Sequence, residues 1–218
     1  MDFLLSLWGY TSGRFDQVGQ ALIEHIAYVV SVVGLASVFA IVIAVATRHN
    51  VFARELSLAI ASVFLTIPSL ALFTIFIPLV GLGFAPSFIA LFLYAILPIL
   101  RNTVTGLDGV DPSVIEAAKG MGLTNGEILL RIQLPLAWPV IIAGIRIATM
   151  LTVGIAAIAT LVAGGGLGDF IKSGLARLPL PNSLEAIWLG TILSLLLAFA
   201  IDMALKLVKN VTISRGIR

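Results

Sequence analysis

Asp111–Pro135, DPSVIEAAKGMGLTNGEILLRIQLP, is the longest interior stretch of this chain that can stand in water, and long apolar segments flank it on both sides. It holds Asp111, Glu116, Lys119, Glu127 and Arg131 in a sequence that is only 11% charged. The chain as a whole is 60% apolar, with a mean hydropathy of +1.13. A soluble domain is roughly half apolar and about a quarter charged, so these values belong to an integral membrane protein. At roughly 20 residues per helical crossing, 218 residues give about five spans and leave no length for a soluble domain. The fold class is therefore all-α and polytopic.

The spans are read outward from that stretch. Toward the N-terminus, no charge occurs in the 45 residues between Glu55 and Arg101, enough for two crossings. Pro78, Gly81, Gly83 and Pro86 mark the turn between them. This gives spans at about 56–80 and 86–106. Pro68, in TIPSLAL (66–72), removes a backbone donor in mid-span and predicts a kink or break. The first span is Ile26–Ala46, 21 residues without a charge. Residues 1–25 are mixed and read as an interfacial segment. Asp2 stands where a signal peptide would place a basic residue, so no signal peptide is expected. Toward the C-terminus, spans follow at about 137–163 and 185–207. The basic tail of 210–218 closes the sequence, and the transmembrane body is 26–209.

Five spans put the termini on opposite sides. One side gathers Arg48, Arg54, Arg101, Lys119, Arg131, Lys206, Lys209, Arg215 and Arg218, and the other Arg14, Lys172 and Arg177. Nine against three places the first side in the cytoplasm, with the N-terminus outside. The 111–135 loop is then cytoplasmic. A net charge of +2 gives no argument for nucleic acid. With no cysteine there is no thiolate metal site, and His25 and His49 read as interfacial residues at span ends rather than metal ligands.

Local signals give the loop a shape. Asp111 can cap a helix that starts at Pro112, where a missing N–H is harmless. Gly120 or Gly122 ends it with a left-handed residue. Thr124 and Glu127 form a capping box for a second short helix, which Pro135 closes. Val114, Ile115, Met121, Ile128, Leu129 and Ile132 are too apolar for a freely solvated loop. They need cover from the headgroup region, the bundle's own face or another protein, and the helix signals do not choose among these.

The string EAAKGMGLTNGEILLRIQLP (116–135) resembles the EAA loop of permease subunits of ATP-binding-cassette importers. The matching positions are Glu116, Ala117, Ala118, Gly122, Ile132, Leu134 and Pro135. TIPSLAL (66–72), LFLYAILPILRNT (91–103), GVDPSVIEAA (109–118), PVIIAGIR (139–146) and GGGLGD (164–169) are similar to permeases of betaine, choline and carnitine osmoprotectant importers. The resemblance implies a type I importer permease (MetI-like) fold in the bacterial inner membrane. It also implies two permease subunits, identical or paralogous, over two cytoplasmic ATPase subunits that bind ATP and Mg, and an extracytoplasmic substrate-binding protein. Glu116, Ala117, Ala118, Gly122, Ile128, Leu129, Ile132, Leu134 and Pro135 would then couple the permease to the ATPase. A member of the same class for an amino acid or ergothioneine would look alike.

Other residues keep two readings. Pro68 and Ser69 line the pathway or only kink a helix. Tyr94 meets a cationic solute or simply packs. Gly164, Gly165, Gly166 and Gly168 form a mobile gate or docking surface for the binding protein, or only end a span. Arg146, inside span four, is expected to brace the loop through Asp108 or Glu116. Asp202 and Lys206 are spaced to pair on one helix face. A secondary transporter would carry coupling charges at mid-bilayer, and an intramembrane enzyme a nucleophile–base or metal set; the spans offer neither. No P-loop, G-x-S-x-G or H-E-x-x-H occurs, so ATP hydrolysis belongs to a separate subunit.

Overall fold

The computed structural model describes residues 2–163 and 165–212, and among them all regular structure is helical. The order is α1 Asp2–Ser12, α2 Phe15–Thr47, α3 Val51–Thr66, α4 Ser69–Val80, α5 Phe84–Asp108, α6 Pro112–Gly120, α7 Asn125–Ile128, a π turn Leu129–Gln133, α8 Leu134–Ala163, α9 Gly168–Ala176 and α10 Ser183–Thr212. Among the described residues, four continuous helices are long and apolar enough to cross a membrane: α2, α5, the run Asn125–Val162 and α10. Taken together, the broken pair α3–α4 is also long and apolar enough for a fifth crossing.

Two boundaries differ from the sequence expectation. The helix that carries the first span begins at Phe15, ahead of Ile26. α2 is one helix of 33 residues, about 50 Å at 1.5 Å per residue, against a hydrocarbon core of about 30 Å. Its first turns can extend beyond the core, which is why Asp16 and Glu24 are tolerated there. The expected close at Pro135 is also absent. α7 widens into the π turn, in which the Leu134 N–H reaches the Leu129 carbonyl, and the helix continues through Pro135 as α8. A proline in the first turn of α8 withholds an N–H where the wider turn already disturbs the ladder.

The second span is broken more sharply than a kink. Ile67, forced out of the helical region by the following proline, is extended at φ −77° and ψ 131°, and the axis turns by 101° between α3 and α4. Tyr94 on α5 donates its hydroxyl to the Ile67 carbonyl at 2.6 Å, so the break leaves that acceptor satisfied.

Within a bilayer, helices gain little from excluding water, and close packing does the work. α5 and α8 share the most extensive contact in the molecule. Gly144 on α8 allows it: a Cβ there would stand 2.7 Å from the Pro98 carbonyl oxygen and from Asn102 Cβ. The main core joins α2, α5 and α8 around Val32, Leu91, Ile99, Leu100 and Ile141. A smaller core, at the end opposite the 112–133 segment, gathers Tyr10, Val18, Leu167, Phe170 and Leu189 from α1, α2, α9 and α10. Buried hydroxyls inside the spans turn back to their own helix, as Thr103 does to Ile99 and Thr152 to Ala148.

Candidate functional site

The segment 112–133 is built from local bonds. The Asp111 carboxylate accepts from the Ser113 N–H at 2.8 Å, and Pro112 follows it as the first helical residue. α6 then ends in a paired closure: the Gly122 N–H reaches the Lys119 carbonyl at 2.9 Å and the Leu123 N–H the Ala118 carbonyl at 3.2 Å. Gly122 makes this possible with φ +84°, a conformation that L side chains avoid. The capping box of α7 is complete. Thr124 N–H and its hydroxyl both donate to Glu127 Oε2, at 3.0 and 2.9 Å, while the Glu127 N–H donates back to the Thr124 hydroxyl. Hydrogen bonds from Ser113, first its N–H and then its hydroxyl, hold the Asp111 carboxyl below its ordinary range. The Thr124 N–H and hydroxyl do the same for Glu127, helped by Arg131 at 3.7 Å.

The sequence-named residues of this segment divide into two sets. Ala118, Ile128 and Leu129 are buried by the protein's own packing. Ile132 and Leu134 are half-buried. Glu116, Ala117, Gly122 and Pro135 remain exposed, and beside them Met121 (72%) and Leu130 (67%) present large apolar side chains to the outside. The segment thus sets Leu129 into the main core, buries Ala118 and Ile128, and leaves a mixed face open.

The remaining candidates fall elsewhere. Pro68 is exposed and Ser69 half-buried at the α3–α4 break, while Tyr94 is buried and engaged with Ile67. Arg146 does not pair with Asp108 or Glu116 as the sequence suggested. Its guanidinium meets Asp202 on α10 at 2.6 and 2.7 Å, and Lys206 meets the same carboxylate at 2.8 Å. Asp108 is instead held by Arg54 at 2.9 Å, tying the start of α3 to the end of α5. Sequence proximity favoured Asp108, but the helix packing presents α10, not α5, to that face of α8.

At the opposite end, Gly164 lies outside the described residues. Gly165 and Gly166 have φ +95° and +74°, and Gly168 packs against the Ala157 carbonyl of α8. The segment is tied down, not free. The Gly165 N–H donates to Asp169 Oδ2 at 2.7 Å and the Gly166 N–H to Glu24 Oε2 at 3.0 Å. His25, only 2% exposed, accepts from the Leu167 N–H at Nδ1 (3.4 Å) and has Nε2 3.2 Å from the Val153 carbonyl. That pattern fits a neutral ring with its proton on Nε2. His25 is therefore an internal anchor rather than an interfacial residue.

Residues 36–210 match the family described as the inner membrane component of binding-protein-dependent transport systems. The chain belongs to this family of importer permeases. It is 37% identical to a glycine betaine/carnitine/choline transport system permease protein of Bacillus subtilis, over 89% of this chain and 88% of that one. It is also 37% identical to an osmoprotectant import permease protein of Salmonella typhimurium, over 89% and 91%. A carnitine transport permease protein of Listeria monocytogenes is 37% identical over 96% and 93%. Among solved structures, a chain of the MetNI methionine ABC transporter in an inward-facing conformation superposes with a TM-score of 0.70 and 22% identity, covering 88% of this chain and 95% of that one. This likeness is one of fold.

The family match begins at residue 36, so the permease's Glu24–His25 anchor lies N-terminal to it. Sequence reasoning missed these two residues. Their partners stand 128 and 142 positions away, and no local pattern announces such contacts. The one available signal was a glycine run, which needs something close by to make side chains unwelcome.

Proposed function

We propose that this permease forms half of the pathway of an ATP-driven importer for a small quaternary-amine osmoprotectant, of the glycine betaine, carnitine or choline kind. The observation that carries this reading is the set of relatives named for those solutes, matched over about nine-tenths of both chains. In this reading the N-terminus is outside and the 112–133 segment is cytoplasmic. Its open face, with Glu116, Ala117, Met121 and Leu130, seats in an ATPase subunit that binds ATP and Mg. Leu129 holds the segment to the bundle, Ala118 and Ile128 are its buried positions, and Ile132, Leu134 and Pro135 join it to α8. A second permease chain completes the pathway, and a binding protein delivers solute near Gly165, Gly166 and Gly168. Pro68 and Ser69 border the pathway at the broken span, while Tyr94 supports the break.

Physically, the segment suits a coupling element because its bonds are internal. It can move as a unit without losing its caps, and it continues directly into a membrane-spanning helix. Solute-stimulated ATP hydrolysis by the reconstituted assembly, across a panel of trimethylammonium compounds, tests the reading. Stimulation by one or more of them is expected, and a flat response would exclude the osmoprotectant assignment. Gly122→Asp should leave the permease inserted yet abolish stimulation; normal stimulation would remove the 112–133 segment from the coupling role.

A further inference from the structure

A cavity of about 310 Å³ lies between α2, the start of α5, the end of α8 and the Gly165–Gly166 segment. That volume is at the small end of ligand pockets. Glu24, Ala27 and Ser31, one stripe of α2, are exposed along it, and His25 and Ser87 are buried in it. Two aromatic rings line it: Tyr28 and Phe84 meet edge to face at 4.9 Å, with Phe88 behind them at 6.3 and 5.2 Å.

The charge of this cavity is one-sided. Glu24 accepts from Gln20 Nε2 at 2.9 Å and from the Gly166 N–H at 3.0 Å, both neutral donors. Among the described residues it has no ion pair. Lys172, on α9, donates to the Thr160 carbonyl and does not line the cavity. One polar atom is also left over. The Tyr28 hydroxyl is buried beside Ser87, whose own hydroxyl donates to the Phe84 carbonyl, and no well-formed hydrogen bond joins the two.

A carboxylate without a counter-ion, set beside aromatic rings, attracts a cation. The rings favour a large, weakly hydrated one, because such an ion gives up little water to lie on an aromatic face. A small metal ion would want several oxygen ligands, and the described residues hold no group of three or more metal-binding side chains. An anion meets Glu24.

We infer that this cavity is a binding site in the permease itself for a quaternary ammonium group, and, resting on the function proposed above, that the group belongs to the transported solute. Glu24 supplies the charge, and Tyr28 and Phe84 supply the ring faces. His25 holds the segment that forms one wall. The site would let the permease test the solute's headgroup independently of the binding protein.

The same headgroup occurs on phosphatidylcholine, so the test separates the two sources. The permease–ATPase assembly, without binding protein, is placed in nanodiscs of phosphatidylglycerol and phosphatidylethanolamine. Binding of radiolabelled choline is measured, with tetramethylammonium as competitor. Saturable binding at one site per permease chain is expected. Glu24→Gln, which keeps an acceptor for the Gly166 N–H, and Phe84→Leu should each weaken it by about tenfold, a change in the range of a desolvated cation–ring contact. Tyr28→Phe keeps the ring and should leave tetramethylammonium binding within about twofold. Unchanged binding in both Glu24→Gln and Phe84→Leu, or no binding by the wild type, overturns the inference. So does retention of phosphatidylcholine by an assembly that ignores free choline. If binding is absent while trimethylammonium solutes still stimulate ATP hydrolysis with the binding protein present, only this site is lost. If tetramethylammonium binds but the solute panel gives a flat response, the solute assignment fails instead.

Discussion

The two ends of this permease are held in opposite ways. The 112–133 segment is fixed by bonds that span two to five residues: Asp111 to Ser113, Leu123 to Ala118, Thr124 to Glu127. The 165–167 segment has a local bond from Gly165 to Asp169, but its ties to the rest of the protein span 142 residues, from its backbone to Glu24 and His25. A locally bonded element keeps its shape when it moves. A distantly bonded one reports whether its neighbours are in place. The first arrangement suits a part that is pushed, and the second a part that responds to packing or to a ligand between the helices it joins.

Substitutions should separate the two, and the largest effect should blur them. Asp202→Ala leaves Arg146 and Lys206 without their shared partner between α8 and α10. The loss should be about 3 kcal/mol, at the low end for a buried pair because both cations are partly exposed. A fall in thermal stability with faster hydrogen exchange at both ends is expected; an effect confined to one end would show that α8 does not link them. His25→Ala strands the buried Leu167 N–H at a cost of about 2 kcal/mol. Exchange should accelerate at 165–170 and stay unchanged at 112–133, and acceleration at both would break the contrast.

Gly122→Val meets no atom within 4 Å of its Cβ, so its penalty is backbone strain alone, about 1–2 kcal/mol. Here exchange should rise only in 112–133, the mirror image of His25→Ala. Thr124→Ala removes one side of the capping box and should cost about 1 kcal/mol, read as faster exchange of the amides at 125–128. The smallest effect is acidification. Asp111 and Glu127 have depressed folded-state values, so their contribution is full above the ordinary carboxylate range near pH 4 and is lost as pH falls through those lower values. Pepsin should cut the 112–133 segment faster below about pH 3 than at pH 4.

The same contrast explains what could be read without coordinates. The caps at Asp111 and Thr124 and the bend at Gly122 are legible because a cap is written within four residues. Span counting also works, since crossing a bilayer needs a length of apolar chain. Pro68 announces a break, but the 101° angle depends on how α4 packs on α5 and on Tyr94 closing the open carbonyl. Pro135 reads as a stop, yet the π turn before it lets the helix go on. The partner of Arg146 and the burial of His25 are decided by which helices face each other, and no neighbouring residue carries that information.

The π turn at Leu129–Gln133 sets the torsional phase between two halves of one rod. A helix advances about 100° per residue, and the turn works as a one-residue dislocation in the run Asn125–Val162. It lets Leu129, at the start of the turn, and Ala137 and Ile141, beyond it, join the main core together. Because the wider turn absorbs one extra residue, removing a single residue there would let the run close as unbroken α-helix with little change of phase, whereas removing one from within α8 would swing everything before it by about 100° and re-aim Glu116 and Met121.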